Sequence, residues 1–175
     1  DALAVFGKLL GTMGARPAIL RVMAEMETEQ GRYRTALGYI ERLVAVEPGR
    51  FENYVGALII FYAPSRAPVS PDEAPETGDA EKARYLDEAA KKVAESSAEQ
   101  NFLMGTILRK AGDLDRAEPF LLRAEKIDPK NENTLLEIAA LYGRMGRYDD
   151  APHRAMGSTS ALAGIAAHAA PSYRT

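Results

Sequence analysis

Apolar residues recur at three- and four-residue steps along most of this chain, and several of these runs stop at a glycine. The pattern is plainest around residue 112. Phe102, Leu103, Met104, Gly105, Ile107 and Leu108 precede Gly112, and Phe120, Leu121, Leu122, Ala124 and Ile127 follow it. Both sets fit one face of an α-helix rather than the alternation of a strand. Between them lies Gly112-Asp-Leu-Asp-Arg-Ala117, which returns 34 residues later as Gly146-Arg-Tyr-Asp-Asp-Ala151. Earlier copies are Gly31-Arg-Tyr-Arg-Thr-Ala36 and, less cleanly, Gly78-Asp-Ala-Glu-Lys-Ala83. The Gly closes a helix because it takes the left-handed backbone angle at little cost. The Ala, near the start of the next helix, lets the two helices approach closely. Asp113 and Asp115 favour that helix start, and Asp128-Pro129 ends it. A fixed period near 34 predicts an all-α solenoid of antiparallel helix pairs.

The period divides the chain. Residues 17–50 form the first full pair, with helices expected at about 18–30 and 33–46 and Pro17 suited to a first helical position. Residues 51–97 hold the second pair but run 13 residues over the period. The excess falls in 63–77, a stretch with four prolines and little apolar material. It is expected to be an extended, mobile loop, either merely tolerated or in contact with a partner. The helix after it, 79–95, is expected to bury Ala83, Leu86, Ala90 and Val93. Residues 98–131 are a further repeat, and 132–151 a partial one. Residues 1–16 read as the second helix of a truncated preceding repeat or as an unrelated cap, with Ala2, Phe6 and Leu9 or Leu10 facing Leu20 and Met23. Residues 152–175 contain no Asp, Glu or Lys and are Ala-rich. They fit a degenerate last helix capped by Thr159 or Ser160, a disordered end, or a non-native peptide joined at Met156-Gly157-Ser158. A first residue of Asp rather than Met suggests a piece of a longer chain.

These repeats resemble the tetratricopeptide repeat (TPR) family. In 98–131 the matching residues are Gly105, Gly112, Ala117, Leu121, Ala124 and Pro129. From 132 onward they are Leu135, Ile138, Ala139, Tyr142, Gly146, Tyr148 and Ala151. In 17–50 they are Leu20, Ala24, Gly31, Tyr33, Ala36, Ile40 and Pro48. Three residues depart from the pattern: Glu27 where a large aromatic is usual, and Asn101 and Asp87 where bulky apolar residues are. The resemblance implies a right-handed superhelix with a concave groove that grips a peptide or helix of a partner.

Composition narrows the chemistry. The chain has 175 residues and a net charge of −3, so nothing draws it strongly to nucleic acid or an anionic membrane. Basic residues are dispersed without interleaved stacking aromatics. Cysteine is absent, which removes disulfides and thiolate metal sites. The longest apolar run, 54–63, is too short to span a bilayer, and no signal-peptide pattern opens the chain. A soluble chain is expected, with the cytoplasm as the default compartment. His153 and His168, the only two histidines, match no zinc-ligand spacing and offer no nucleophile a partner in the repeats. No phosphate-binding glycine motif occurs. Glu25, Glu27 and Glu29, like Asp113 and Asp115, sit at polar helical or capping positions. No catalysis, cofactor or metal is expected.

By register, the first helix of each pair lines the groove with Arg21, Glu25, Val55, Ile59, Tyr62, Phe102, Leu103, Thr106, Arg109, Lys110, Leu136, Ala140 and Arg144. Its middle, Val55, Ile59, Tyr62, Phe102 and Leu136, is apolar, and a contiguous apolar patch points to a partner. The family's carboxylate-clamp subgroup needs Lys or Arg, and Asn, at recurring slots. Here those slots hold Arg21, Glu25, Val55, Ile59, Phe102 and Thr106. An apolar or amphipathic segment therefore fits better than an acidic C-terminal tail, with Arg109, Lys110 and Arg144 as a rim that accepts acids. The reading is a non-catalytic protein-interaction scaffold. Its alternatives are a self-assembling or subunit-bridging module, joined through groove, ends or tail, and the regulatory repeat arm of a larger enzyme.

Overall fold

The computed structural model describes residue 5 and residues 16–62, 64, 67–75 and 78–147. Seven α-helices have both bounds among them: α1 (Pro17–Glu29), α2 (Tyr33–Val46), α3 (Phe51–Tyr62), α4 (Asp79–Lys92), α5 (Ala98–Ala111), α6 (Leu114–Ile127) and α7 (Glu132–Met145). No strand occurs among the described residues. The chain divides into two compact units between Lys92 and Val93, the first holding α1–α4 and the second α5–α7. The helices pack as antiparallel pairs, α1 with α2, α3 with α4 and α5 with α6, while α2 also meets α3 and α6 meets α7. The expected contacts of residues 1–16 and the three readings of 152–175 lie outside the described residues, as do both histidines.

Three of the four glycine marks close helices. Gly31, Gly112 and Gly146 have φ of 74°, 88° and 70°. In each, the residue after the glycine donates its N–H to a carbonyl in the helix's last turn: Arg32 to Glu27 at 2.9 Å, Asp113 to Leu108 at 3.0 Å, Arg147 to Tyr142 at 2.9 Å. This is the Schellman closure, which satisfies carbonyls the helix end would otherwise strand. Ala36 and Ala117 are both fully buried in the helix that follows. Helices α5 and α6 approach closely at Gly105, where an added Cβ would lie 2.6 Å from Leu121 Cγ and 3.2 Å from the Ala117 carbonyl oxygen.

The fourth mark behaves differently. Helix α3 has already ended at Tyr62, and Gly78 instead starts α4, its carbonyl accepting from the N–H groups of Glu81 and Lys82. Ala83 is exposed. The buried stripe of α4 is Tyr85, Leu86 and Ala89, with Ala90 half-buried; Val93, also half-buried, lies past the end of the helix at Lys92. The expected face is thus rotated, because Tyr85 takes the contact with α3. Its ring lies 5.7 Å from Phe61 and 6.0 Å from Tyr54, centre to centre.

The inserted segment is held at its middle rather than free. Residues Pro71–Glu73 form a short 3-10 turn that packs on α2. Val69 donates its N–H to the Gly31 carbonyl at 3.0 Å. Glu73 accepts from the Thr35 backbone N–H at 3.1 Å and from the Thr35 hydroxyl at 2.9 Å. Arg32, the N-cap residue before α2, offers no side-chain cap. The carboxylate of Glu73, 38 residues away in sequence, supplies one to the first turn.

Two of the three departures from the repeat pattern are met by polar partners. Glu27 is 6% exposed and ion-paired to Arg32, two groups brought together by the Gly31 turn. Asn101, fully buried, donates to the carbonyls of Ala94 at 3.1 Å and Ser97 at 2.8 Å, so it ties the α4–α5 connection to α5. Asn53 does the same for the α2–α3 connection, donating to Leu43 and Glu47. Each Asn oxygen accepts from an arginine, Arg123 for Asn101 and Arg21 for Asn53, both at 3.3 Å. Asp87 is simply exposed. Asp113 stands at the N-cap of α6 but makes no capping bond; it pairs with Arg116 instead.

Candidate functional site: the groove of the first unit

Helices α1 and α3 stand side by side over α2, and a cavity of 540 Å³ opens between them. Its volume lies in the usual range for ligand pockets. The floor is apolar: Ala24 from α1, Ile40 and Leu43 from α2, Gly56 and Ile59 from α3. Gly56 keeps the slot open, since a Cβ there would lie 3.4 Å from Ile40 Cδ1 and any longer chain would project into it. Ile59 is 38% exposed, an apolar side chain open to the slot.

Polar groups rim the slot. At one end Arg21 donates to Glu47 at 3.0 Å and to Asn53 at 3.3 Å, bridging α1 to the start of α3. Arg50 lies 3.8 Å from the same Glu47 carboxylate and 3.2 Å from Glu52. At the other end α1 presents Glu25, Thr28 and Glu29, and Thr28 turns its hydroxyl back onto the Ala24 carbonyl at 2.7 Å.

Of the residues that register assigns to this unit's groove, Arg21, Glu25 and Ile59 line the cavity. Val55 does not: it is 6% exposed and packs into the core, one helical position away from the open face. Tyr62, at the end of α3, is half-buried beside Phe61, with ring centres 6.5 Å apart. Loss of solvent, then the nearby Asp79 carboxylate, raises its phenol pKa above the ordinary 10. Sequence reasoning did not assign Thr28, Glu29, Arg50, Glu52, Asn53 or Gly56 to the cavity. The signal was there in part, since 21, 24, 25, 28 and 52, 53, 56, 59 are helical stripes.

In the second unit Phe102, Leu103, Thr106, Arg109 and Ala140 are half-buried, and Lys110, Leu136 and Arg144 are exposed, Leu136 at 44%. Two of the three expected rim cations are engaged. Arg109 pairs with Glu137 at 2.7 Å across α5 and α7. Arg144 donates to the Arg109 carbonyl at the end of α5. These bonds tie α7 to α5. The Thr106 hydroxyl is buried with no hydrogen-bond partner.

Among the described residues no group of His, Cys, Asp or Glu could hold a metal ion. No helix among them is long and apolar enough to cross a membrane. No family model matches the chain, and no curated protein matches it. Among solved structures, a thermophilic TPR protein of Thermus thermophilus superposes with a TM-score of 0.59, at 22% identity, over 95% of this chain and 88% of that one. The helix pairs, their glycine closures and this likeness agree: the chain has the fold of the tetratricopeptide repeat proteins.

Proposed function

We propose that the chain is a non-catalytic protein-interaction scaffold that seats an apolar or amphipathic segment of a partner. The observation that carries this is the open slot between α1 and α3, with its apolar floor and polar rim. Such a slot suits a peptide or helix anchored by one or two apolar side chains. Phe102, Leu103 and Leu136 of the second unit are the matching apolar contacts of the proposal there, with Lys110 and Arg144 as cations beside them. Val55 drops out of the set because it is buried.

The test is a displayed-peptide selection on the whole chain. Peptides with recurring apolar anchors should emerge, and Ile59→Ala and Phe102→Ala, made singly and together, should weaken their binding while circular dichroism keeps its helical amplitude. Hot-spot truncations cost about 2 kcal/mol or more, roughly a thirtyfold loss. Unchanged binding in the double variant would overturn the assignment.

A further inference from the structure

We infer that the inserted segment is a releasable tie that holds the first unit's slot at its binding width. Fastened, it fixes the end of α1 relative to α3; released, it lets that end of the slot spread and weakens binding. The inference rests on the scaffold reading above and adds how the site is held.

The two walls of the slot, α1 and α3, both pack on α2, and each end of the slot has a link between them. Where the walls begin, the link is a side chain. Arg21 of α1 reaches Asn53 in the first turn of α3 and Glu47 just before it. Where the walls end, the link is the chain itself. It leaves α3 at Tyr62, one turn past Ile59, and by Val69 has reached the turn that closes α1, where the Gly31 carbonyl accepts its N–H at 3.0 Å. A line of bonds runs from there back into the wall. Gly31 donates its N–H to the Thr28 carbonyl at 3.0 Å, the Thr28 hydroxyl donates to the Ala24 carbonyl at 2.7 Å, and Thr28 and Ala24 both line the cavity. Four residues on, Glu73 fastens the same segment to Thr35, five residues before Ile40 of the slot's floor. Pro68 and Pro71 flank Val69 and Ser70 and restrict the backbone on both sides, so little freedom is lost when the segment fastens. Ser70 holds φ −151° and ψ 162°, the extended conformation that a residue before proline favours. Val69 is 59% exposed and Glu73 half-buried, and a segment held by so little buried contact opens well before the helices beneath it. Fastened and free are the two states through which strap and slot are coupled.

The test uses the whole chain and the peptides selected on it. Val69→Pro with Glu73→Ala removes the N–H donor and the carboxylate together. This release variant should bind those peptides on the order of tenfold more weakly, as for a slot that is competent about one-tenth of the time. Glu73→Gln keeps an acceptor for Thr35 and should lose much less. Circular dichroism should keep its helical amplitude in both. Coupling is reciprocal, so saturating peptide should slow amide exchange at Val69 and Thr35 of the unsubstituted chain. Lys130, whose N–H is held by Asp128 in the α6–α7 turn, should exchange as before. Peptides weakened by Ile59→Ala but indifferent to release, with exchange at Val69 and Thr35 unchanged, would overturn the tie and leave the scaffold reading standing. Peptides weakened by release but indifferent to Ile59→Ala would overturn it as well, because they sit outside the slot. Peptides indifferent to release and to Ile59→Ala with Phe102→Ala would overturn both readings.

Discussion

Two helical glycines in this chain have opposite reasons to be there. Gly38 lies inside α2 with nothing near its missing Cβ, so it contributes only backbone entropy to the unfolded state. Gly38→Ala should raise stability by about 0.5–1 kcal/mol. Gly105 is where Leu121 and the Ala117 backbone close onto α5. Gly105→Ala gains the same helical preference but forces Leu121 out of its place, for a net loss of about 1–2 kcal/mol. Urea unfolding of the two variants side by side checks the pair. Glu27 poses a third residue-scale question, because a carboxylate fills a slot where Tyr142 stands in the last repeat. There Arg147 lies 4.8 Å from the Tyr142 ring centre, and in the first repeat Arg32 meets Glu27 by charge instead. Arg32→Ala should cost about 1–3 kcal/mol by stranding the carboxylate. Adding Glu27→Leu should recover part of that, since an apolar pair can replace a buried ion pair. Thermal unfolding of the single and double variants reads the difference.

At the scale of the element, the inserted segment behaves as a strap. Its prolines and polar residues suggest an unanchored loop, yet Val69 and Glu73 fasten it to the α1–α2 turn and the first turn of α2. Glu73→Ala should therefore act at a distance in sequence. The expected cost is that of a lost helix cap, about 0.5–2 kcal/mol. Amide exchange should quicken at Thr35, with the amides of α6 unchanged; equal exchange at Thr35 would mean the strap does not cap α2. Helix α4 shows the other way an insertion alters an element. The 16 residues between α3 and α4 free the second helix from the repeat's register, and Tyr85 rather than Ala83 turns inward against Phe61 and Tyr54. Lys92 then lies 4.6 Å above the Tyr54 ring while bonded to Glu88 at 2.9 Å.

For the whole molecule, acid is the simplest perturbation to read. Hydrogen bonds from Lys91 and Lys92, then their charges, lower the Glu88 carboxyl from 4.5 to about 2. A depressed carboxyl contributes stability that is complete above its unfolded value, near 4.5, and disappears as the pH falls towards 2. Glu88→Gln should lower stability at neutral pH by the amount the unsubstituted chain loses across that window and leave stability near pH 2 little changed, so the profile flattens. Chemical denaturation at stepped pH measures it, and the group is surface-exposed, so high salt should mimic the substitution.

Much of this architecture could be read before any coordinates. Helical periodicity and the left-handed preference of Gly31, Gly112 and Gly146 are local properties, carried by residues a few positions apart. They determined the helical class, the antiparallel pairing through short turns, and the first-helix residues Arg21, Glu25 and Ile59 that line the slot. Tertiary structure decided the rest: that Val55 faces the core, that Gly78 starts a helix instead of closing one, that Glu73 caps a helix 38 residues upstream, and that Glu137 takes up Arg109. The physical reason is one of range. A helix's period follows from its own backbone, but which way it faces, and which charge meets which, depends on neighbours that only the packed chain brings within a few ångströms.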